Sequence, residues 1–427
     1  MTSDRMKYAI LIPDGFADEP IDSLDGQTPM AWAKTPHLDA LAASAVIGRT
    51  MNTPDGFVPG SDVATLCLLG YAPAEVYTGR APLEAAAQGI EMGPDDWAFR
   101  CNLVTLGDGL MKSFTADHVS SREAAALLKT ANEVVAPLWN ELVGRYAVHA
   151  DACRGTIEFL PGVSYRNLML FRPERPGLLP FADLMTFPPH DYTDQKFNQA
   201  LPANGESQLI RQLMLRLASV FLPSGVNKER VASGKLPATD AWLWGQGKRP
   251  GLVPFASRFN GVRGAMITAV DLLKGIARGI GWDSIPVPGI TGYVDTDYAA
   301  KGRYAATALD KYDLVCVHVE ATDEASHEGS LEKKIDALEA IDREIVPQLV
   351  KKLQTYDHWR LLVLPDHATP VRTKTHARGY VPFMAVGSDL TGTEPGQTFN
   401  ESTAARSPLC FDQGPDLMPW FLQSSGE

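Results

Sequence analysis

The chain has 427 residues, 45% of them apolar, with 39 Lys and Arg against 51 Asp and Glu for a formal net charge of −12. At ~100 to 200 residues per domain that length allows two domains, or one carrying a large insertion, and the composition excludes disorder and coiled coil. The acidic balance argues against gripping nucleic acid phosphates, which takes a basic face, but it permits a small anionic substrate in a locally positive cleft.

Along the chain, short apolar runs stop abruptly at residues able to bind metal or do acid chemistry. Tyr8 to Ile12 ends at Pro13 and Asp14. It is too short for a signal peptide, and no run reaches the ~18 apolar residues of a membrane span. In V-P-G-S-D-V-A-T-L-C-L-L-G, Pro59 and Gly60 break the chain and the following apolar run looks helical, which puts Ser61 at or near a helix N-cap. From about Ala81 to about Arg249 the texture changes. Strand and helix alternate poorly there, and proline and glycine cluster at Pro173 to Gly177 and Pro188-Pro189. Glu206 to Leu222 reads as a long amphipathic helix. This stretch is expected to be an inserted α+β domain, 81–249, leaving 1–80 and 250–427 as a discontinuous core.

Ala265 to Val270 resumes the strand pattern, Leu314 to Val319 ends just before Asp323 and His327, and Leu361 to Leu364 ends at Asp366 and His367. Runs of four to six Val, Ile and Leu without polar alternation predict strands buried on both faces, as in a mostly parallel sheet covered by helices. Between them, Leu331 to Leu353 places Ile335, Leu338, Ile341 and Ile345 on one stripe, with Pro347 as a kink or boundary. Five scattered cysteines without a C-x-x-C pair suit a reducing compartment, and a cytoplasmic chain is expected.

In an α/β sheet, side chains distant in sequence meet at the carboxyl ends of the strands. Alone, each strand-end Asp would be a turn former or helix cap and each His a satisfied polar residue. Together, Asp14, Asp323, His327, Asp366, His367 and His376 supply six ligands, enough for two divalent ions with positions left for a substrate oxygen. Mn, Mg, Zn and Co are equally served by such groups. Ser61 at a helix N-terminus is a candidate nucleophile, because the helix end favours an alkoxide and offers N–H groups to a phosphate.

The segments I-P-D-G-F-A-D, P-G-S-D-V-A, Y-T-G-R-A-P-L-E, V-H-V-E-A-T-D-E-A-S-H-E-G and L-P-D-H together resemble the cofactor-independent phosphoglycerate mutases of archaeal type, in the alkaline phosphatase superfamily. The resemblance implies an alkaline-phosphatase-like α/β core with a two-metal site, a phosphoserine intermediate and a substrate-orienting insert. By motif, Asp323, His327 and His376 would form the first metal site, and Asp14, Ser61, Asp366 and His367 the second. The expected reaction interconverts 3-phosphoglycerate and 2-phosphoglycerate through Ser61. Arg80, Arg100 and Arg166 lie inside the resembling motifs, and guanidinium forks suit a carboxylate or phosphate. His118 matches an insert histidine that follows glycine in a G-H-[IV]-S stretch. Here the segment is T-A-D-H-V-S, so Asp117 replaces the small residue. Lys274 either reaches the phosphate from the core or stands on the wet face of a helix start. Two rivals share the metal ligands: a phosphomonoesterase, and a homoserine kinase, against which stands the lack of any G-x-x-x-x-G-K-[ST] loop. A non-catalytic metal-binding scaffold is a third reading, disfavoured by a serine kept between two full ligand sets. Oligomeric state is not readable from the sequence.

Overall fold

A computed structural model describes residues 5–390, 392 and 396–423. The chain divides into two compact units, Met1–Tyr77 with Gly251–Glu427, and Thr78–Pro250.

The first unit is built on an eight-stranded sheet among the described residues. Its centre is four parallel strands in the order Trp359–Val363, Lys7–Pro13, Leu314–Val319 and Gly264–Ile267. Every residue of Lys7–Pro13 and of Leu314–Val319 is buried, as expected for strands covered on both faces. Beyond Trp359–Val363 the sheet turns antiparallel through Val381–Gly387 and Val46–Thr50. The register aligns Pro13 with Val319 and Leu11 with Val363, so these three strands end on one edge. The strand expected over Ala265 to Val270 stops at Ile267, because the chain then enters the helix Asp271–Gly279. The stripe from Leu331 to Leu353 forms two helices, Leu331–Glu344 and Val346–Leu353, with Pro347 in the first turn of the second. Proline is tolerated there because the first N–H groups of a helix have no partner inside it.

The second unit carries a five-stranded antiparallel sheet whose central strand, Trp97–Gly107, pairs with Arg166–Pro173, Asp240–Lys248 and Leu110–Ser113. Helices Ser121–Tyr146 and Ser207–Phe221 supply Leu127, Trp139, Leu213 and Leu217 to a core that also holds Phe99, Phe171 and Trp242. The long helix opens with a capping box, in which Ser120 accepts from the Glu123 N–H and Glu123 accepts from the Ser120 N–H. Among the described residues no single helix is long and apolar enough to cross a membrane.

Candidate active site

The parallel strands deliver acids to one sheet edge. Asp14 follows Lys7–Pro13, Asp366 and His367 leave Trp359–Val363, and Asp323 and His327 sit on the helix Ala321–Glu328 just past Leu314–Val319. Gly15 makes the tight exit after Asp14 possible: at φ +61 a Cβ would meet Asp323 Oδ1 and Thr369 Oγ1 at 2.5 Å. Its N–H donates to Asp366 Oδ1 at 3.2 Å.

These side chains converge. His327 Nε2 lies 3.0 Å from Asp323 Oδ2 and 3.1 Å from His376 Nε2, while His376 Nε2 lies 3.6 Å from the same Asp323 oxygen. His367 Nε2 lies 3.6 Å from Asp14 Oδ1, 3.4 Å from Asp366 Oδ2 and 3.3 Å from Ser61 Oγ. Ser61 is the first residue of the helix Ser61–Leu68; Gly60 holds the N-cap position and the serine side chain makes no capping bond. The hydroxyl therefore faces the imidazole of His367, not its own helix end. Seven residues from four separate stretches of chain are thus brought together, and two triads, Asp323 with His367 and His376, and Asp14 with Asp366 and His367, each place one ligand atom apiece within 4.8 Å of one another.

The electrostatics of this set follow from its buried acids and imidazoles. Burial and the neighbouring Asp366 and Asp323 push the Asp14 carboxyl well above the usual carboxylate range. Burial also opposes the charge on Asp323, but hydrogen bonds from His327 and His376 prevail and hold it well below that range. The bond to Asp323 lifts His327 to about 9. Buried Asp14 Oδ1 and Asp366 Oδ2 have no hydrogen-bond donor. Three buried carboxylates, two orphaned acceptor atoms and converging imidazole nitrogens form a donor set that suits divalent cations.

Several site neighbours carry no sequence signal of periodicity. His318, the single polar residue pointing inward from an apolar strand, puts Nε2 3.1 Å from Asp14 Oδ2 and Nδ1 3.3 Å from Thr268 Oγ1. Lys301 is buried on the helix Tyr298–Ala308 and donates to the His318 carbonyl at 2.8 Å. Burial pulls its ammonium down to about 8 and pushes Glu320 up to about 8. Thr369 donates to Asp323 Oδ1 at 2.5 Å and fixes that carboxylate's orientation. Lys274 stands on the helix Asp271–Gly279 and pairs with Asp271 at 2.9 Å; among the described residues no hydrogen bond or ion pair joins it to the Asp and His cluster.

The second unit gathers the opposite charge. Arg100 is buried, stacks 4.2 Å over the Trp244 ring and pairs with Glu84 at 3.0 Å. Arg80 Nε lies 3.7 Å from Glu84, and Arg166 stacks over Tyr165. Burial lowers Arg100 to about 10, with Arg80 and Arg166 repelling it. His190, in the turn Pro189–Tyr192, packs against Trp244 and Phe114; burial first, then the same three arginines, hold its imidazole low. His118 is exposed on the turn that precedes the long helix.

Residues 42–227 match the profile of the family described as 2,3-bisphosphoglycerate-independent phosphoglycerate mutase. The protein of that name from Methanosarcina barkeri is 44% identical over 97% of this chain and 98% of its own. The second mutase of that name from Methanothermobacter thermautotrophicus is 44% identical over 95% of this chain and 94% of its own. Among solved structures, a protein from Pyrococcus horikoshii superposes with a TM-score of 0.76 at 25% identity, covering 98% of this chain and 97% of that one. The cofactor-independent phosphoglycerate mutase from Thermoplasma acidophilum shares the fold at a TM-score of 0.65, with 23% identity over 98% and 99% of the two chains. With near-complete coverage at 44% identity, this chain belongs to the 2,3-bisphosphoglycerate-independent phosphoglycerate mutases.

Proposed function

We propose that the chain interconverts 3-phosphoglycerate and 2-phosphoglycerate by two phosphoryl transfers through Ser61, as a cytoplasmic enzyme acting on a small phosphorylated substrate without nucleic acid or membrane. The observation that carries this reading is the placement of Ser61 Oγ at a helix N-terminus, 3.3 Å from His367 and inside the Asp and His cluster. Asp323, His327 and His376 would hold one divalent cation, and Asp14, Asp366 and His367 with Ser61 a second. When bound, such ions supply positive charge to the phosphoryl oxygens and favour the serine alkoxide.

Ser61 Oγ attacks phosphorus, the bond from phosphorus to the glycerate oxygen breaks, and that oxygen gains a proton to balance the one the serine gives up. The other glycerate hydroxyl then takes the phosphoryl group back, and the serine is regenerated. The start of the helix Ser61–Leu68, where Ser61 is the first residue, would favour negative charge on the transferred phosphoryl group. Arg80, Arg100, Arg166 and His118 bind the carboxylate and free hydroxyl of glycerate, which keeps it from leaving before the second transfer. Buried Lys301 donates to the backbone carbonyl of His318, whose ring Nε2 lies 3.1 Å from Asp14 Oδ2, so both residues back the acid from inside the first unit.

A coupled assay on the purified protein tests this reading. With 3-phosphoglycerate, manganese and no nucleotide, 2-phosphoglycerate is the expected product. Free phosphate as the main product would make the protein a phosphomonoesterase, and turnover only with homoserine and ATP would make it a kinase.

A further inference from the structure

Three consecutive non-glycine residues of the second unit, Ala116, Asp117 and His118, have φ of 47, 52 and 51. Residues with a Cβ enter the left-handed region singly, so a run of three is a short left-handed turn that the chain does not adopt unaided. Asp117 stands at its centre, at the position where the resembling stretch has glycine. One residue, Val119, separates the turn from Ser120, the N-cap of the long helix, so the turn's shape decides where the exposed His118 ring is presented.

What holds the turn is visible. Ser113 Oγ accepts from the Asp117 N–H at 2.9 Å, and Thr115 Oγ1 accepts from the His118 N–H at 3.2 Å. The larger restraint comes from a residue more than a hundred positions later. Arg230, on the helix Gly225–Ala232, is 1% exposed. Its Nη2 donates to the carbonyls of both Ala116 and Asp117, its Nε to Leu236 O at 3.0 Å, and its Nη1 to Glu123 Oε2 at 3.0 Å. Asp117 Oδ2 accepts from the Leu236 N–H at 3.3 Å, so the loop after that helix closes on the turn as well. One planar guanidinium therefore grips two carbonyls of the turn and the capping carboxylate of the helix that follows it. A buried arginine is costly unless its donors are filled, and here the turn carbonyls, Leu236 O and Glu123 fill them.

We infer that Arg230 is a positioning residue for the mutase reaction: by clamping the left-handed turn Ala116 to His118 it fixes where His118 meets glycerate. The inference rests on the reading that His118 binds the substrate. It adds to that reading the reason why a chain without glycine at 117 can hold the turn. An ammonium could not replace the fork, since a single lysine nitrogen cannot span Ala116, Asp117, Leu236 and Glu123 together.

The test is a double-mutant cycle on the full-length, metal-loaded protein, assayed for 2-phosphoglycerate formation well below each variant's unfolding temperature. Arg230→Met should lower kcat/KM by about tenfold to a hundredfold, the scale of a misplaced substrate group. In the His118→Ala background the same substitution should cost almost nothing more, because its effect passes through His118. Adding Asp117→Gly to Arg230→Met should restore most of the lost rate, since glycine enters the left-handed region without strain. Amide hydrogen exchange over residues 115–119 should speed up in Arg230→Met. If that variant does not fold, Arg230→Lys carries the same cycle. Losses that add in the cycle, or no rescue by glycine, would overturn the clamp. Wild-type turnover in His118→Ala would overturn the reading beneath it.

Discussion

The acidic cluster of the first unit and the basic cluster of the second achieve positioning by opposite means. Asp14, Asp323 and Asp366 stand where buried parallel strands end, so the sheet register sets their spacing before any side chain contributes. The second unit's Arg80, Arg100, Arg166 and His118 come from a helix start, two strands and a left-handed turn, and are held by stacking, by Glu84 and by a clamp. A residue in that turn gives up ~1–2 kcal/mol relative to ordinary backbone, less for Asp and His than for Ala. The comparison teaches that a cluster of acids can be assembled by sheet topology, whereas a cluster of arginines on an antiparallel sheet needs local devices. Within each cluster opposite charge is already present: His327 and His376 meet Asp323, and Glu84 meets Arg80 and Arg100.

The largest expected effect falls on the first unit. Ser61→Ala should abolish mutase turnover, read as 2-phosphoglycerate formed per enzyme. Its stability cost should stay under the ~1 kcal/mol of a lost cap, because the Ser61 side chain caps nothing. Substantial turnover in this variant would break the assignment of the nucleophile.

Metal removal comes next and separates the two clusters directly. A chelator should lower the unfolding temperature in calorimetry, by the equivalent of ~3 kcal/mol where metal had been present at about a hundred times its Kd. Asp323→Asn should shrink that difference, since it removes a carboxylate that meets both His327 and His376. Arg166→Ala should leave it unchanged, and a changed metal response there would undo the separation.

How much of this was legible in sequence follows from the same contrast. Short unalternating runs ending at Asp or Asp-His betray buried strands and the edge where they stop, so the first cluster could be collected without coordinates. His318 and Lys301 could not. A lone histidine inside an apolar strand and a lysine on a helix look like ordinary core and surface; only the fold shows His318 beside Asp14 and Lys301 on the His318 carbonyl. Motif resemblance drew attention to Arg80, Arg100, Arg166 and His118, but neither His190 nor Arg230 lies in such a motif. Their importance depends on long-range contacts, His190 with Trp244 and Arg230 with Ala116, which no local pattern encodes. Helix starts favour serine at the cap, which puts Ser61 at or near it; Gly60 takes the cap itself and Ser61 the next position, which frees the hydroxyl.

A smaller effect is expected in the second unit. Arg166 lies exposed over Tyr165, whereas Arg100 is buried and paired with Glu84. Arg166→Ala should therefore reduce 2-phosphoglycerate relative to free phosphate with little loss of stability. Arg100→Ala should change the same ratio and also destabilise the fold, by leaving Glu84 without its close partner. Equal behaviour of the two variants in product ratio and melting would erase the distinction drawn between them.

The smallest effect concerns the pH dependence of the clamp. Burial opposes the charge on Glu123, yet hydrogen bonds from Ser120 and Arg230 prevail and bring its carboxyl down to about 2. A folded value below the ordinary one of 4.5 means that the ionised carboxylate stabilises the native state. That contribution is complete above pH ~4.5 and is lost as pH falls toward 2. Because the side chain keeps some contact with water, screening limits the gain to about 1 kcal/mol. Glu123→Gln should thus be less stable than the parent by about that amount at pH 7, and the difference should shrink progressively between pH 4.5 and 2. Denaturant titrations at several pH values read this out. The metal-induced gain in stability should run the other way round in its residue dependence: it should respond to Asp323→Asn and not to Glu123→Gln. A Glu123→Gln difference that stayed constant down to pH 2 would mean that the carboxylate acts through shape alone, and the buried Arg230 would then draw its stability from the carbonyls of Ala116, Asp117 and Leu236.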